Sequence, residues 1–331
     1  MKFASLALAL LVVPMAGTAQ QPNEIPTNLA GISTIAPPPD GFDPLTATDA
    51  DLAYYGFPPR PNEDSGDYAS WAKAMTASAE RIVPTLVETN ISHGPRVNAP
   101  GSTTDTDYSY NWSGYVKNGS AKSYGKSSYS FVYSDVTVPT AQQASGKCTG
   151  GWDYGSAWVG IDGDGSNDVL QDGIEFDAYC KGSTKDSYYS PWFEWYPFNE
   201  VRISGLPISA GNEYYMEVWS TSSTKGHAYL VNVTKKKSVT INFSAPSGTK
   251  LIGNSAEWIT ERPGVNGSLA TLTNYGSQTY SDSLGETFAG SSVDPGNSTP
   301  IIMLDNNGKA ISYPTKKSSK SFVMKVEGSA K

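Results

Sequence analysis

Several polar side chains in this sequence fall in stretches that otherwise read as apolar strands. Trp158 and Asp162 lie in one aromatic-rich stretch, Gln171 in the next, Trp192, Glu194 and Tyr196 in a third, and Glu257 and Glu261 in a fourth. Within each stretch they share one parity, so each set projects from one face of a sheet. A face carrying Trp, Asp, Gln, Glu and Tyr lines a groove rather than a dry core. What is missing narrows the chemistry. A serine or cysteine hydrolase needs a nucleophile and a base, usually histidine. Beyond residue 106 the only histidine is His227, at the start of a strand, and no G-x-S-x-G elbow exists. A zinc hydrolase recruits several His or Cys ligands, so no metal and no other cofactor is expected. An aspartic peptidase would carry a pair of Asp-Thr-Gly or Asp-Ser-Gly loops, and the chain has no such pair. Acid–base work therefore falls to carboxylates, supported by amides and tyrosines.

The elements that must hold these groups are strands. After Asn111 the apolar period becomes two: residues 157–161, 214–219, 228–233, 239–243 and 322–326 alternate or are rich in aromatic and β-branched residues, with Gly, Ser, Asn and Pro between them. Many short strands so spaced predict an all-β antiparallel sandwich or barrel. The stretches flanking residues 234–238 form a hairpin, with Lys235-Lys236-Lys237 a solvated tip.

Residues 20–106 read differently. They are rich in proline and show one helical segment after Ser65 or Asp67, whose apolar positions Tyr68, Trp71, Met75 and Ile82 lie near one stripe and which Pro84 ends. Before it, Met1-Lys2, an apolar run to Met15 and Ala16-Gly17-Thr18-Ala19 have the form of a signal peptide cut after about Ala19, too short to cross a bilayer. The expected organisation is 1–19 signal peptide, 20–106 propeptide and 107–331 catalytic β domain, in a secreted, extracellular protein with no membrane partner. The helix is expected to cover the mature enzyme; a plain linker is the alternative. The leader carries 11 acidic and 4 basic residues against 21 and 19 in the body, and no clustered basic face suits a nucleic acid. In an oxidising compartment Cys148 and Cys180 are expected to pair, two buried thiols being the alternative.

Five blocks meet a known pattern. Asn111-Trp112-Ser113-Gly114-Tyr115, the run Ala157-Trp158-Val159-Gly160-Ile161-Asp162-Gly163, Leu170-Gln171-Asp172-Gly173, Trp192-Phe193-Glu194-Trp195-Tyr196-Pro197 and the run Ala256-Glu257-Trp258-Ile259-Thr260-Glu261-Arg262-Pro263 resemble, in order and spacing, the signature blocks of the glutamic peptidases (eqolisins). The resemblance covers about residues 109–331. It implies a concanavalin-like antiparallel β-sandwich and an acid endopeptidase acting on protein or peptide substrates, expected to be a monomer restrained by its own propeptide.

The resemblance also implies roles. Gln171 matches the catalytic glutamine and Glu261 the catalytic glutamate. Glu257 competes, because it shares the strand parity of Glu261, about 13 Å away along the strand. Trp158, Asp162, Glu175, Trp192, Glu194 and Tyr196 are expected to line the substrate cleft, although packing is a ready alternative for the tryptophans. In this reading Glu261 takes a proton from water and Gln171 meets the oxyanion without titrating. The rival is a sugar-binding or glycoside-hydrolysing sandwich, which would use two carboxylates and no essential glutamine. Unlike the familiar fungal members, the body is nearly charge-balanced.

Overall fold

In the computed structural model, residues 23–61, 67–78, 80–144, 148 and 150–327 are described. The expected signal peptide and Ser65 lie outside them. Alternation of apolar and polar residues builds two large antiparallel sheets. The first runs, in spatial order, Thr85–Glu88, Val201–Ser204, Thr184–Tyr196, Val169–Lys181, Ser156–Ile161, Ser255–Glu261, Trp112–Asn118 and Thr299–Leu304. The second runs Ser33–Ile35, Lys237–Ser244, Lys225–Asn232, Glu213–Ser222, Tyr129–Thr137, Ser277–Thr287 and Phe322–Val326. Ala310–Lys316 pairs with Thr299–Leu304 and with Phe322–Val326, and so joins the two.

Between the sheets lies the core, where Val159, Ile161, Leu170, Ile174, Phe193, Trp195 and Trp258 meet Val132, Met216, Val218, Leu230 and Ile241. Each first-sheet residue in that set has the parity opposite to Trp158, Gln171, Trp192 and Glu261, so the polar residues necessarily occupy the outer, groove-forming face. Gly173 lets that face close up. A Cβ there would stand 2.5 Å from the Ala157 carbonyl oxygen and 2.8 Å from the Trp192 ring.

The leader is folded onto both outer faces. The strand Thr85–Glu88 extends the first sheet beyond Val201–Ser204. Two helices form rather than the single one expected, Asp49–Tyr54 and Tyr68–Ala77. The second ends at Ala77, well before Pro84, and Ile82 packs against the main core instead. Asp67 sits at its N-cap without a side-chain capping bond and pairs with Lys320 at 2.5 Å. Its apolar stripe, Trp71, Ala74 and Met75, packs on Tyr133, Tyr215, Trp219 and Tyr229 of the second sheet. The helix therefore covers the sheet away from the groove, where its stripe meets an aromatic surface. Cys148 and Cys180 are bonded, with Cα atoms 5.2 Å apart. Among the described residues no helix is long and apolar enough to cross a membrane.

Candidate active site

The groove of the first sheet is filled by residues 91–97 of the leader. Ile91–Ser92 pairs with Gly264–Val265, the Glu200 N–H donates to the Ile91 carbonyl at 2.9 Å, and the Arg96 N–H donates to the Gly163 carbonyl at 3.1 Å. At the centre the His93 N–H points at both oxygens of Glu194, 3.0 and 3.1 Å away. The Trp112 indole N–H donates to the Gly94 carbonyl at 3.1 Å. Gly94 lies against Tyr196, whose ring would be 3.2 Å from a Cβ at that position.

Two groups converge on His93. Gln171 Nε2 donates to its carbonyl oxygen at 2.6 Å, while Glu261 Oε2 lies 3.2 Å from its Nδ1. Gln171 Oε1 is buried with no hydrogen-bond partner. Glu261 is held by the Trp158 indole N–H on Oε2 at 2.8 Å and by Asn111 Nδ2 on Oε1 at 3.2 Å. Asn111 is fixed in turn: its Oδ1 accepts from the Val97 N–H at 2.8 Å, and its amide also reaches the Pro95 carbonyl at 3.2 Å.

The imidazole of His93 stacks on Trp192, ring centroids 3.9 Å apart and planes 9° apart. Its Nε2 faces Glu200 Oε2 at 3.1 Å and Glu175 Oε1 at 3.0 Å. The Glu200 contact is well directed; the Glu175 contact is ionic, without hydrogen-bond geometry. Arg202 Nε donates to the other oxygen of Glu200 at 2.8 Å. His93, Glu175 and Glu200 stand close enough to share a cation, and the imidazole itself meets that demand.

Burial would lower the His93 pKa, but the contacts with Glu175, Glu200 and Glu261 outweigh it and hold it well above the ordinary imidazole value. Burial raises Glu261, against the pull of His93, Trp158 and Asn111. Glu194 is likewise raised well above its usual range by burial. Glu200 goes the other way: burial would raise it, yet His93 and Arg202 bring it below the ordinary carboxyl value. Such opposed shifts within one site are how proteins poise acid–base groups.

Of the residues expected in the cleft, Gln171, Glu261, Trp158, Glu175, Trp192, Glu194 and Tyr196 gather around residues 93–94. Asp162 does not. Its carboxylate accepts the backbone N–H groups of Ile252, Gly253 and Asn254 at 2.7–2.9 Å, so it fastens a loop. Its φ of 69° turns the chain away from the strand direction that parity reasoning assumes. Glu257 stands, by register, in the cross-strand row of Gly160 and Gln171, whereas Glu261 shares the row of Ser156 and Glu175. Register alone would favour Glu257. However, its two oxygens accept no well-formed hydrogen bond, and burial lifts its pKa well above the usual range. Sequence reasoning gave no site role to His93, Asn111, Trp112 or Glu200. Asn111 and Trp112 stood inside a signature block, but nothing in their spacing marked His93 or Glu200. His227 bonds Asn242 at 2.7 Å on the second sheet, where it lines a cavity of about 980 Å³ under the leader, apart from the groove.

Residues 110–326 match the Peptidase A4 family. The chain is 34% identical over 224 residues to Aspergillopepsin-2 from Aspergillus niger, covering 63% of this chain and 75% of that protein. It is 36% identical over 167 residues to Scytalidopepsin B from Scytalidium lignicola, covering 50% of this chain and 55% of the other. The fold is similar to scytalido-glutamic peptidase solved with a transition state analog inhibitor, with TM-score 0.55 and 27% identity over 66% of this chain and 98% of that one. It is also similar to an eqolisin, SCP-B, in complex with the tripeptide Ala-Ile-His, with TM-score 0.52 and 26% identity over the same shares. These matches decide against the sugar-binding alternative: the chain belongs to the Peptidase A4 family and is a peptide-bond hydrolase.

Proposed function

We propose that this protein is a secreted acid endopeptidase that works through Gln171 and Glu261 and an activated water, and that residues 20–106 are its propeptide. The observation carrying the assignment is that one leader residue, His93, meets Gln171 through its carbonyl and Glu261 through its side chain. A substrate carbonyl in the position of the His93 carbonyl would accept from Gln171, with Glu261 beside the same residue. Ionised Glu261 takes a proton from the water as it attacks the carbonyl carbon, and returns it to the departing amine. The Gln171 N–H stabilises the oxyanion, and its free Oε1 accepts from the water. Trp158 and Asn111 hold Glu261 in place and favour its charged form. Trp192, Glu194 and Tyr196 shape the cleft around the peptide.

Acid operation fits the burial pattern. Asp172, Glu217 and Glu257 are fully buried and raised by desolvation, so they fold more readily when protonated. The test is digestion of a denatured protein at acid pH with pepstatin present. Continued digestion is expected; its absence after the leader has been removed refutes the assignment.

A further inference from the structure

We propose that residues 23–88 of the leader stay on the mature enzyme as a second, noncovalently held chain, covering the outer face of the second sheet and one edge of each sheet. Only the stretch beyond them has to leave the groove. The inference rests on the leader being cut, and it does not depend on which residues perform the catalysis.

The face beneath the leader supplies the main reason. Tyr133, Tyr215, Trp219 and Tyr229 of the second sheet are at most 7% exposed. Leu52, Phe57, Trp71 and Met75 of the leader lie against them in one apolar cluster. An aromatic side chain buries about 150–250 Å², so departure of the leader would bare roughly 600–1,000 Å² on those four sheet residues alone. The largest apolar patch on a typical monomer is about 300–600 Å². With a similar area on the leader side, the seam totals roughly 1,200–2,000 Å², the size of a stable protein–protein interface. Glu217 shares this face by parity and its carboxylate accepts from the Tyr215 hydroxyl at 2.5 Å. Burial pushes its pKa up to about 8, so in acid it is neutral and the centre of the seam stays apolar.

The edges give a second reason. Ser33–Ile35 pairs with Lys237–Ser244, and the Thr240 hydroxyl donates to the Gly56 carbonyl at 2.7 Å. Thr85–Glu88 pairs with Val201–Ser204 at the edge of the first sheet. Asn28 ties that strand to the rest of the leader: its side chain accepts the Leu86 N–H and donates to the Leu86 carbonyl, both at 2.8 Å. Bare sheet edges are templates for aggregation. Charged pairs rim the seam, Lys73 with Asp135 at 3.0 Å and with Glu213, and Lys237 with Glu80 at 2.9 Å. None of these contacts involves residues 91–97, so clearing the groove leaves them intact.

The test cuts the full chain within the exposed stretch 101–105. The enzyme makes the cut itself in acid or, where it does not, a site-specific protease makes it at a recognition sequence placed there. The product is run on a sizing column, and its peak is weighed by native and by denaturing mass spectrometry. One copy of a fragment containing the Trp71 helix is expected on each body, separating only on denaturation. The melting temperature of the cut protein should fall on about 100-fold dilution, as for any two-chain complex. Lys73→Glu sets a carboxylate against Asp135 and Glu213 at a half-exposed position, so the uncut chain should fold while the fragment is held at least ~10-fold more weakly after cutting. A body that elutes alone, as a monomer or as a dimer closed over the bared face, overturns the proposal, as does a melting temperature indifferent to dilution. Equal retention in Lys73→Glu and parent would put the fragment elsewhere and overturns the seat proposed for it. In each of these cases acid proteolysis by the body leaves the Gln171–Glu261 assignment standing. A retained fragment on a body that is inactive once residues 91–97 are gone counts against that assignment and supports the second chain.

Discussion

Trp158→Phe isolates the environment of Glu261. The indole N–H lies 2.8 Å from Glu261 Oε2, and the ring meets Trp112 edge-on at 4.9 Å. Phenylalanine keeps an aromatic body in the slot and removes the donor. Burial raises the Glu261 pKa and the N–H donors oppose it, so losing one must raise it further. A hydrogen bond to a charged group contributes about 1.5–3 kcal/mol. At about 1.4 kcal/mol per pKa unit, the carboxyl should titrate about 1–2 units higher. The base works only when ionised, so the acid limb of the kcat/KM profile of the processed enzyme should move up in pH by that amount. Below the limb, activity falls on the order of 10–100-fold; well above it, variant and parent converge. The assay is a pH–rate profile with a short fluorogenic peptide, alongside thermal melting to confirm folding. An acid limb that stays in place, or a uniform loss at every pH, refutes the reasoning.

Stability should fall with rising pH, because Asp172, Glu217 and Glu257 have folded pKa values raised by burial, that of Glu217 to about 8. The folded state then binds more protons than the unfolded one between the two pKa values. A calorimetric Tm higher near pH 8 than near pH 4 would contradict this. Replacing Cys180 by Ser should cost roughly 3–4 kcal/mol in denaturant unfolding, since the bond closes a loop between residues 32 apart; an unchanged midpoint argues against it. N-terminal sequencing of the active form should place the new terminus between Asn98 and Tyr110, downstream of the segment that fills the groove. An active form still carrying residues 91–97 covalently is the contrary result.

Most of the sheet architecture was legible because strand periodicity is local: the parity that puts Trp158, Gln171, Trp192 and Glu261 on one face is written in each stretch. The helix of the leader was legible as well, but its target was not. The match between Trp71 and Met75 and the tyrosines of the second sheet depends on residues some 60 to 160 positions away. The role of Asp162 was hidden by one residue of left-handed backbone, which ends the alternation just where parity was extended to it. The lone His93 carried no spacing signal. Its meaning arises only when three strands and the loop before Val201–Ser204 bring Glu175, Glu194, Glu200 and Glu261 around it.

The most direct test of the account is kcat/KM for acid proteolysis by Glu261→Gln, Glu257→Gln and Gln171→Ala, each compared with the processed parent. Glu261→Gln keeps the shape of the side chain but cannot accept a proton, so activity should fall by ~10²–10⁴. Gln171→Ala should cost ~10²–10³ in turnover through loss of the oxyanion donor. Glu257→Gln should retain most activity, because a buried carboxyl with a strongly raised pKa is already neutral at acid pH. Substantial activity in Glu261→Gln alongside its disappearance in Glu257→Gln would show that the other glutamate is the base, and full activity in both would contradict the glutamine–glutamate mechanism altogether.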